Sequence, residues 1–117
     1  MTNGAWIDSA TAVLDALLAG HRPSREEQRA AVKASLAVLV ERAPGRSVEV
    51  RIPPFAAVQV VAGSAHRRGT PPAVVETDPA TWLALALGRV EWGEATGSGR
   101  LRASGERSDL SGLLPLI

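Results

Sequence analysis

The residues able to do chemistry in this chain are few and scattered. Its 117 residues include two histidines, His21 and His66, and no cysteine. Without a thiol there is no thiolate nucleophile, no disulfide and no sulfur-ligated metal. Neither histidine has a second histidine or a carboxylate at ligand spacing, so no metal site is expected. Gly97-Ser98-Gly99 is too short for a Gly-x-Ser-x-Gly nucleophile elbow, and it precedes a strand where an elbow opens a helix. The glycines also lack the strand–loop–helix order of a dinucleotide site, so no cofactor is expected. Catalysis would then need carboxylates alone, and Glu76 and Asp78 are two that lie close in sequence. Asp78 stands directly before Pro79 and an apolar run, where a carboxylate caps a helix start, and it is assigned that structural task. No catalytic residue is expected.

The charged residues suggest recognition rather than catalysis. Arg67 and Arg68 could hold a carboxylate or phosphate head group at the mouth of an apolar pocket. The favoured reading is the plainer one, that two arginines in a solvated loop keep the surface soluble. Glu106, Arg107 and Asp109 are expected to form an ion-pair cluster that pins the C-terminal tail. Thirteen Lys and Arg against twelve Asp and Glu leave a formal charge of +1. A nucleic-acid binder usually gathers a basic excess on one face, or adds aromatic stacking platforms. With one Phe, no Tyr and three Trp in apolar surroundings, no nucleic-acid partner is expected.

The elements that would position these residues follow from hydrophobic spacing. Ile7, Ala10, Leu14, Leu17 and Leu18 predict a first helix, capped by Asp8 or Ser9 and ended by Gly20. The segment His21-Arg22-Pro23 is a turn. Ser24 and Glu27 predict a capping box. Val32, Leu36, Leu39, Val40 and Ala43 then mark one face of a second helix, stopped by Pro44-Gly45. From Ser47 the period changes to two. Val48, Val50 and Ile52 alternate with Glu49 and Arg51 in a half-buried strand. Pro53-Pro54 breaks the ladder before a second strand over residues 55–62, expected to pair with the first. A loop over residues 63–72 leads to a third strand over 73–76. The Asp78-capped helix is apolar nearly all round through Leu87. A short turn of helix over 91–96, with Trp92 and Ala95 inward, and an alternating strand over 100–104 precede an apolar tail, Leu110–Ile117. The order predicts an α+β domain with helices over a mainly antiparallel sheet.

Hydrophobic residues make up 45% of the chain, enough for a true core, and the length suits one domain. We take residues 1–23 as an N-terminal helix and turn, and 24–117 as the body of the domain. The most apolar windows, 36–40 and 82–87, are too short to span a bilayer. The first residues do not have the basic-then-apolar order of a secretory leader. A cytoplasmic protein without stable membrane insertion is expected.

Residues 76–89, from Glu76-Thr77-Asp78-Pro79 through Trp82 to Gly88-Arg89, resemble the strand and capped helix of the sterol carrier protein family. The short helix over 91–99 and the strand 100–106 are similar to the next two elements of that family. Arg68-Gly69-Thr70-Pro71-Pro72, Val75–Pro79 and Gly105–Leu110 resemble small actinobacterial members more closely. The resemblance covers roughly residues 25–117. It implies a twisted sheet of about five strands, helices on one face and a hydrophobic tunnel between them. It also implies an apolar small molecule as partner, of fatty acyl, acyl-CoA or isoprenoid type. The chain does not end in a peroxisomal Ser-Lys-Leu tail, so that address is not expected. A second resemblance is to the C-terminal domain of mycothiol-dependent maleylpyruvate isomerases. Their metal-binding helical domain has no counterpart here, so their chemistry is not carried over.

Trp82 and Trp92 are the foremost candidates for pocket walls, because a large rigid ring shapes a cavity. Val58, Val60, Leu85, Leu113 and Leu114 are candidates beside them, and all seven could instead be ordinary core. A standing hollow of ~300 Å³, at about 24 cal/mol per Å³, would cost ~7 kcal/mol against a domain stability of about 5–15 kcal/mol. A ligand must fill the hollow, or the tail must close over it, or the pocket is shallow. The expectation is a non-catalytic carrier whose ligand lies between the sheet and the helix Thr81–Leu87, with the tail as gate. The alternatives are a protein-interaction module, including a homodimer, with Trp6 and the Arg68–Pro72 loop as contact points, or an accessory subunit of an isomerase-like enzyme.

Overall fold

The computed structural model describes residues 4–63 and 73–117. Arg67, Arg68 and His66, and with them the proposed head-group contact and one proposed interaction loop, lie outside the described residues. Helices α1 (Ala5–Leu18) and α2 (Arg25–Arg42) precede strands β1 (Val48–Ile52), β2 (Ala56–Val60) and β3 (Ala73–Thr77). Helices α3 (Pro79–Ala86) and α4 (Trp92–Gly97), strand β4 (Leu101–Ser104) and a single 3-10 turn (Ser111–Leu113) follow.

Local chemistry explains two of the helix starts. Ser24 Oγ accepts the Glu27 N–H at 3.0 Å, and Glu27 Oε1 accepts the Ser24 N–H at 2.9 Å, which is the expected capping box. The bond from the Ser24 backbone N–H first, and the Ser24 hydroxyl beside it second, hold the Glu27 carboxyl below its ordinary value. Asp78 caps α3 as expected, accepting the Thr81 N–H and the Thr81 hydroxyl, each at 2.8 Å. Helix α1 departs from expectation. It begins at Ala5 without a side-chain cap, so Asp8 and Ser9 lie inside it. Burial of Trp6, at 9% exposure, goes with a helix start upstream of Asp8 and Ser9. The same burial removes Trp6 as an outward contact point. The buried seam of α1 is Trp6, Ala10, Val13 and Leu14, and Leu18, at its margin in the last turn, is 67% exposed.

Among the described residues the sheet has four strands, in the order β2-β1-β3-β4, rather than about five. The hydrophobic pattern itself marks only four; the fifth came from the resemblance. Strands β1 and β2 are antiparallel, as are β3 and β4, whereas β1 and β3 are parallel. The reason is geometric. β2 returns the chain to the starting end of β1, with Val60 opposite Val48. A strand that then begins beside Val48 on its other flank, as Ala73 does, must run with β1.

Alternation divides the sheet into two unlike faces. Val48, Val50, Ile52, Val60, Ala73, Val75 and Thr77 are buried on one side. The other carries Glu49, Arg51, Glu76 and Arg102. There Arg51 pairs with Glu49, and Arg102 with Glu76 at 3.1 Å. The bond and charge of Glu49, with Glu76 behind, push the Arg51 guanidinium further toward its charged form. The end of α2 is stitched to the end of β2: Ala43 O accepts the Val61 N–H at 2.7 Å, and Val61 O accepts the Ser47 N–H at 3.0 Å. A Cβ at Gly45 would lie 2.1 Å from the Val61 carbonyl, so only glycine fits that crossing.

Candidate ligand-binding site

The site is built around α3, whose Trp82, Leu83, Leu85, Ala86 and Leu87 are all buried or nearly so. Helix α2 packs against it with a stripe that the sequence pattern did not single out. Besides the expected row of Val32, Leu36 and Leu39, residues Ala31, Ser35 and Val38 are buried. Ala31, Ser35, Val38 and Arg42 are spaced i, i+4, i+7 and i+11, so they form a second row along the same helix. Two bonds show where it points. The Trp82 indole N–H donates to Ser35 Oγ at 2.8 Å. The Arg42 guanidinium donates to the Leu116 carbonyl in the tail. The Ser35 hydroxyl has the Ala31 and Val32 carbonyls within 2.9 Å as acceptors. Among the described residues, every buried side-chain nitrogen or oxygen has a partner. The Ser35–Trp82 link is thus a satisfied polar bond inside the apolar interior.

The seven proposed lining residues fall into one apolar cluster, at two depths. Val60, Trp82 and Leu85 are buried in the core. Val58, Trp92, Leu113 and Leu114 are half-buried and pack against it. Sequence reasoning missed the deeper anchors of the tail, Leu110 and Leu116, which are 2% and 1% exposed. Leu116 is also bonded on both sides of its own residue. Its N–H donates to Ala86 O at 2.8 Å, and its carbonyl accepts from Arg42. The sequence signal for this was weak: an arginine closing a small-residue row on α2, and a leucine flanked by exposed Pro115 and Ile117.

The charged candidates separate. Glu76 lies on the open face of the sheet, paired with Arg102, while Asp78 is committed to the α3 cap. They form no acid–base couple. Glu106, Arg107 and Asp109 form no ion-pair cluster among the described residues; each of the two bonded members finds backbone. Arg107 donates to Ala62 O at 3.3 Å, and Asp109 accepts the Ser111 N–H at 2.9 Å. That bond holds the Asp109 carboxyl below its ordinary range. A loop packed close to its own chain offers backbone partners sooner than a distant opposite charge, which explains the difference.

Helices layered on the buried face of a small mixed sheet, around a tryptophan-centred apolar interior, suit the fold that the resemblance implied. The family model described as "Bacterial SCP ortholog" matches residues 24–116. The chain belongs to the sterol carrier protein family. The match takes in α2, the whole sheet, α3, α4 and the tail through Leu116, and it leaves α1 outside. No curated protein matches this sterol carrier family member. Among the described residues no helix is long and apolar enough to cross a membrane.

Proposed function

We propose that this sterol carrier family domain is a non-catalytic, cytoplasmic carrier for an apolar small molecule of fatty acyl, acyl-CoA or isoprenoid type, held between the sheet and α3. The observation that carries this reading is the two-depth apolar cluster. A fixed wall is supplied by Trp82, whose ring is held by Ser35. A shallower lining is supplied by Val58, Trp92, Leu113 and Leu114, which are half-buried and pack against the core. Both walls are apolar, so binding would be driven by removal of hydrocarbon from water, about 0.8 kcal/mol for each buried methylene. The open, charged face of the sheet takes no part in it.

Native mass spectrometry of protein purified under non-denaturing conditions tests this, together with thermal shifts against a fatty acid, an acyl-CoA and a polyprenol. A bound apolar mass, or an upward shift that grows with concentration, is the expected result. Bare polypeptide in the first measurement and no shift with any of the three in the second would remove the carrier reading.

A further inference from the structure

The head-group contact expected at Arg67 and Arg68 lies outside the described residues, yet another arginine stands at the rim of the apolar layer. Arg42 is in the last turn of α2. The next residue, Ala43, accepts the Val61 N–H just past the end of β2. The Arg42 guanidinium donates to the Leu116 carbonyl, and the Leu116 N–H donates to Ala86 O at the end of α3. The ends of α2, α3 and β2 thus meet the tail around one arginine. Three of those elements supply part of the proposed lining: Val60 from β2, Leu85 from α3, and Leu113 and Leu114 from the tail. Arg42 itself is exposed. Arginine suits such a rim, because its methylenes tolerate apolar surface while its charge stays in water.

Its bonding differs from that of the paired arginines. Arg51, Arg89 and Arg102 each meet a carboxylate, whereas Arg42 is bonded to a neutral backbone carbonyl. A carboxylate or phosphate offers a guanidinium a full opposite charge and a two-pronged match, and a carbonyl offers neither. The surroundings sharpen the contrast. Helices α2 and α3 both end here, and the C-terminal end of a helix carries partial negative charge that repels anions. The guanidinium is what makes this end of the layer hospitable to a negative head group.

We infer that Arg42 is the head-group anchor of the carrier site. It selects apolar chains that end in a carboxylate or phosphate over neutral ones, its guanidinium passing from the Leu116 carbonyl to the ligand. This inference rests on the carrier reading and narrows it to anionic amphiphiles.

Dodecanoic acid, dodecyl phosphate and dodecanol share one chain and differ only in the head group. Displacement of Nile red, a neutral dye, gives an affinity for each in the wild type, in Arg42→Met and in Arg42→Gln. The wild type is expected to hold the acid, the phosphate or both about tenfold more tightly than the alcohol, and the gap should narrow as salt is added. Which anion gains tells a free-acid source from a phosphate-bearing one. Arg42→Met should remove the gap. Arg42→Gln keeps a neutral donor for the tail but no charge, so the gap should vanish there as well, and this variant carries the test if Arg42→Met does not fold. Equal affinities for all three probes in the wild type overturn the anchor and leave a carrier of neutral chains. A gap that persists in either variant overturns it too, and leaves Arg42 as a staple for the tail. A wild type that takes up neither the dye, nor any of the three probes, nor an acyl-CoA or polyprenol removes the carrier reading itself, and the anchor with it.

Discussion

The C-terminal tail and helix α1 both meet α3, and they do so in different ways. The C-terminal tail is bound through its backbone: Leu116 gives its N–H to α3 and its carbonyl to Arg42 of α2, with its side chain 1% exposed. Helix α1 brings four buried side chains, Trp6, Ala10, Val13 and Leu14, and packs on α2 and α3. Apolar packing is non-directional. A segment joined by directed bonds at one residue has a single register. The comparison teaches that neighbouring segments can be placed by different kinds of contact, directed bonds at Leu116 in the tail and apolar side-chain packing along α1.

The strongest way to break this contrast is Leu116→Ala. Removing a side chain from so enclosed a position should cost about 2–5 kcal/mol of global stability, read as a lower urea midpoint with an unchanged slope. Leu14→Ala removes an equally enclosed leucine, 0% exposed. If α1 opens before the rest, its effect should appear first as faster exchange of α1 amides, with α2 amides little changed. A uniform loss of protection across both helices would erase the distinction.

Ser35→Ala comes next. It strands the Trp82 indole N–H inside the core, a cost of about 1–3 kcal/mol, and should also shift the tryptophan emission. Stability and emission both equal to wild type would show that Trp82 is not pinned there. A smaller effect is expected from Arg89→Ala, which removes an exposed ion pair worth about 0–1 kcal/mol. Its loss should speed opening of α1 at low salt and matter little at high salt.

The smallest effect is in acid. The Glu27 carboxyl titrates below its ordinary value of 4.5 when folded. Its contribution is therefore full above that value and lost as pH falls through the lowered one. Urea midpoints across that range should fall less for Glu27→Gln than for wild type. An identical acid limb in both would show that the capping box does not report on stability at the start of α2.

Elements whose cause lies within a few residues were legible in the sequence. The Ser24–Glu27 box, the Asp78 cap and the alternation in β1 depend on neighbours along the chain, and the structure reproduces each. The seven proposed lining residues are chosen for their type; three lie in the buried core and four pack against it. Their two depths could not be told, because depth depends on what packs on top of them.

The sequence by itself determined the helices α2 and α3, the strands and their inward faces, and the absence of thiol chemistry. Only the tertiary structure decided the start of α1, the parallel pairing of β1 with β3, the second row on α2 and the anchoring of Leu116. The division has one physical cause. Periodicity and capping arise from bonds between residues three or four apart, whereas these later features arise from contacts such as Ser35 with Trp82 and Arg42 with Leu116. Those partners lie many turns apart in the chain, and nothing in the local pattern of either one names the other.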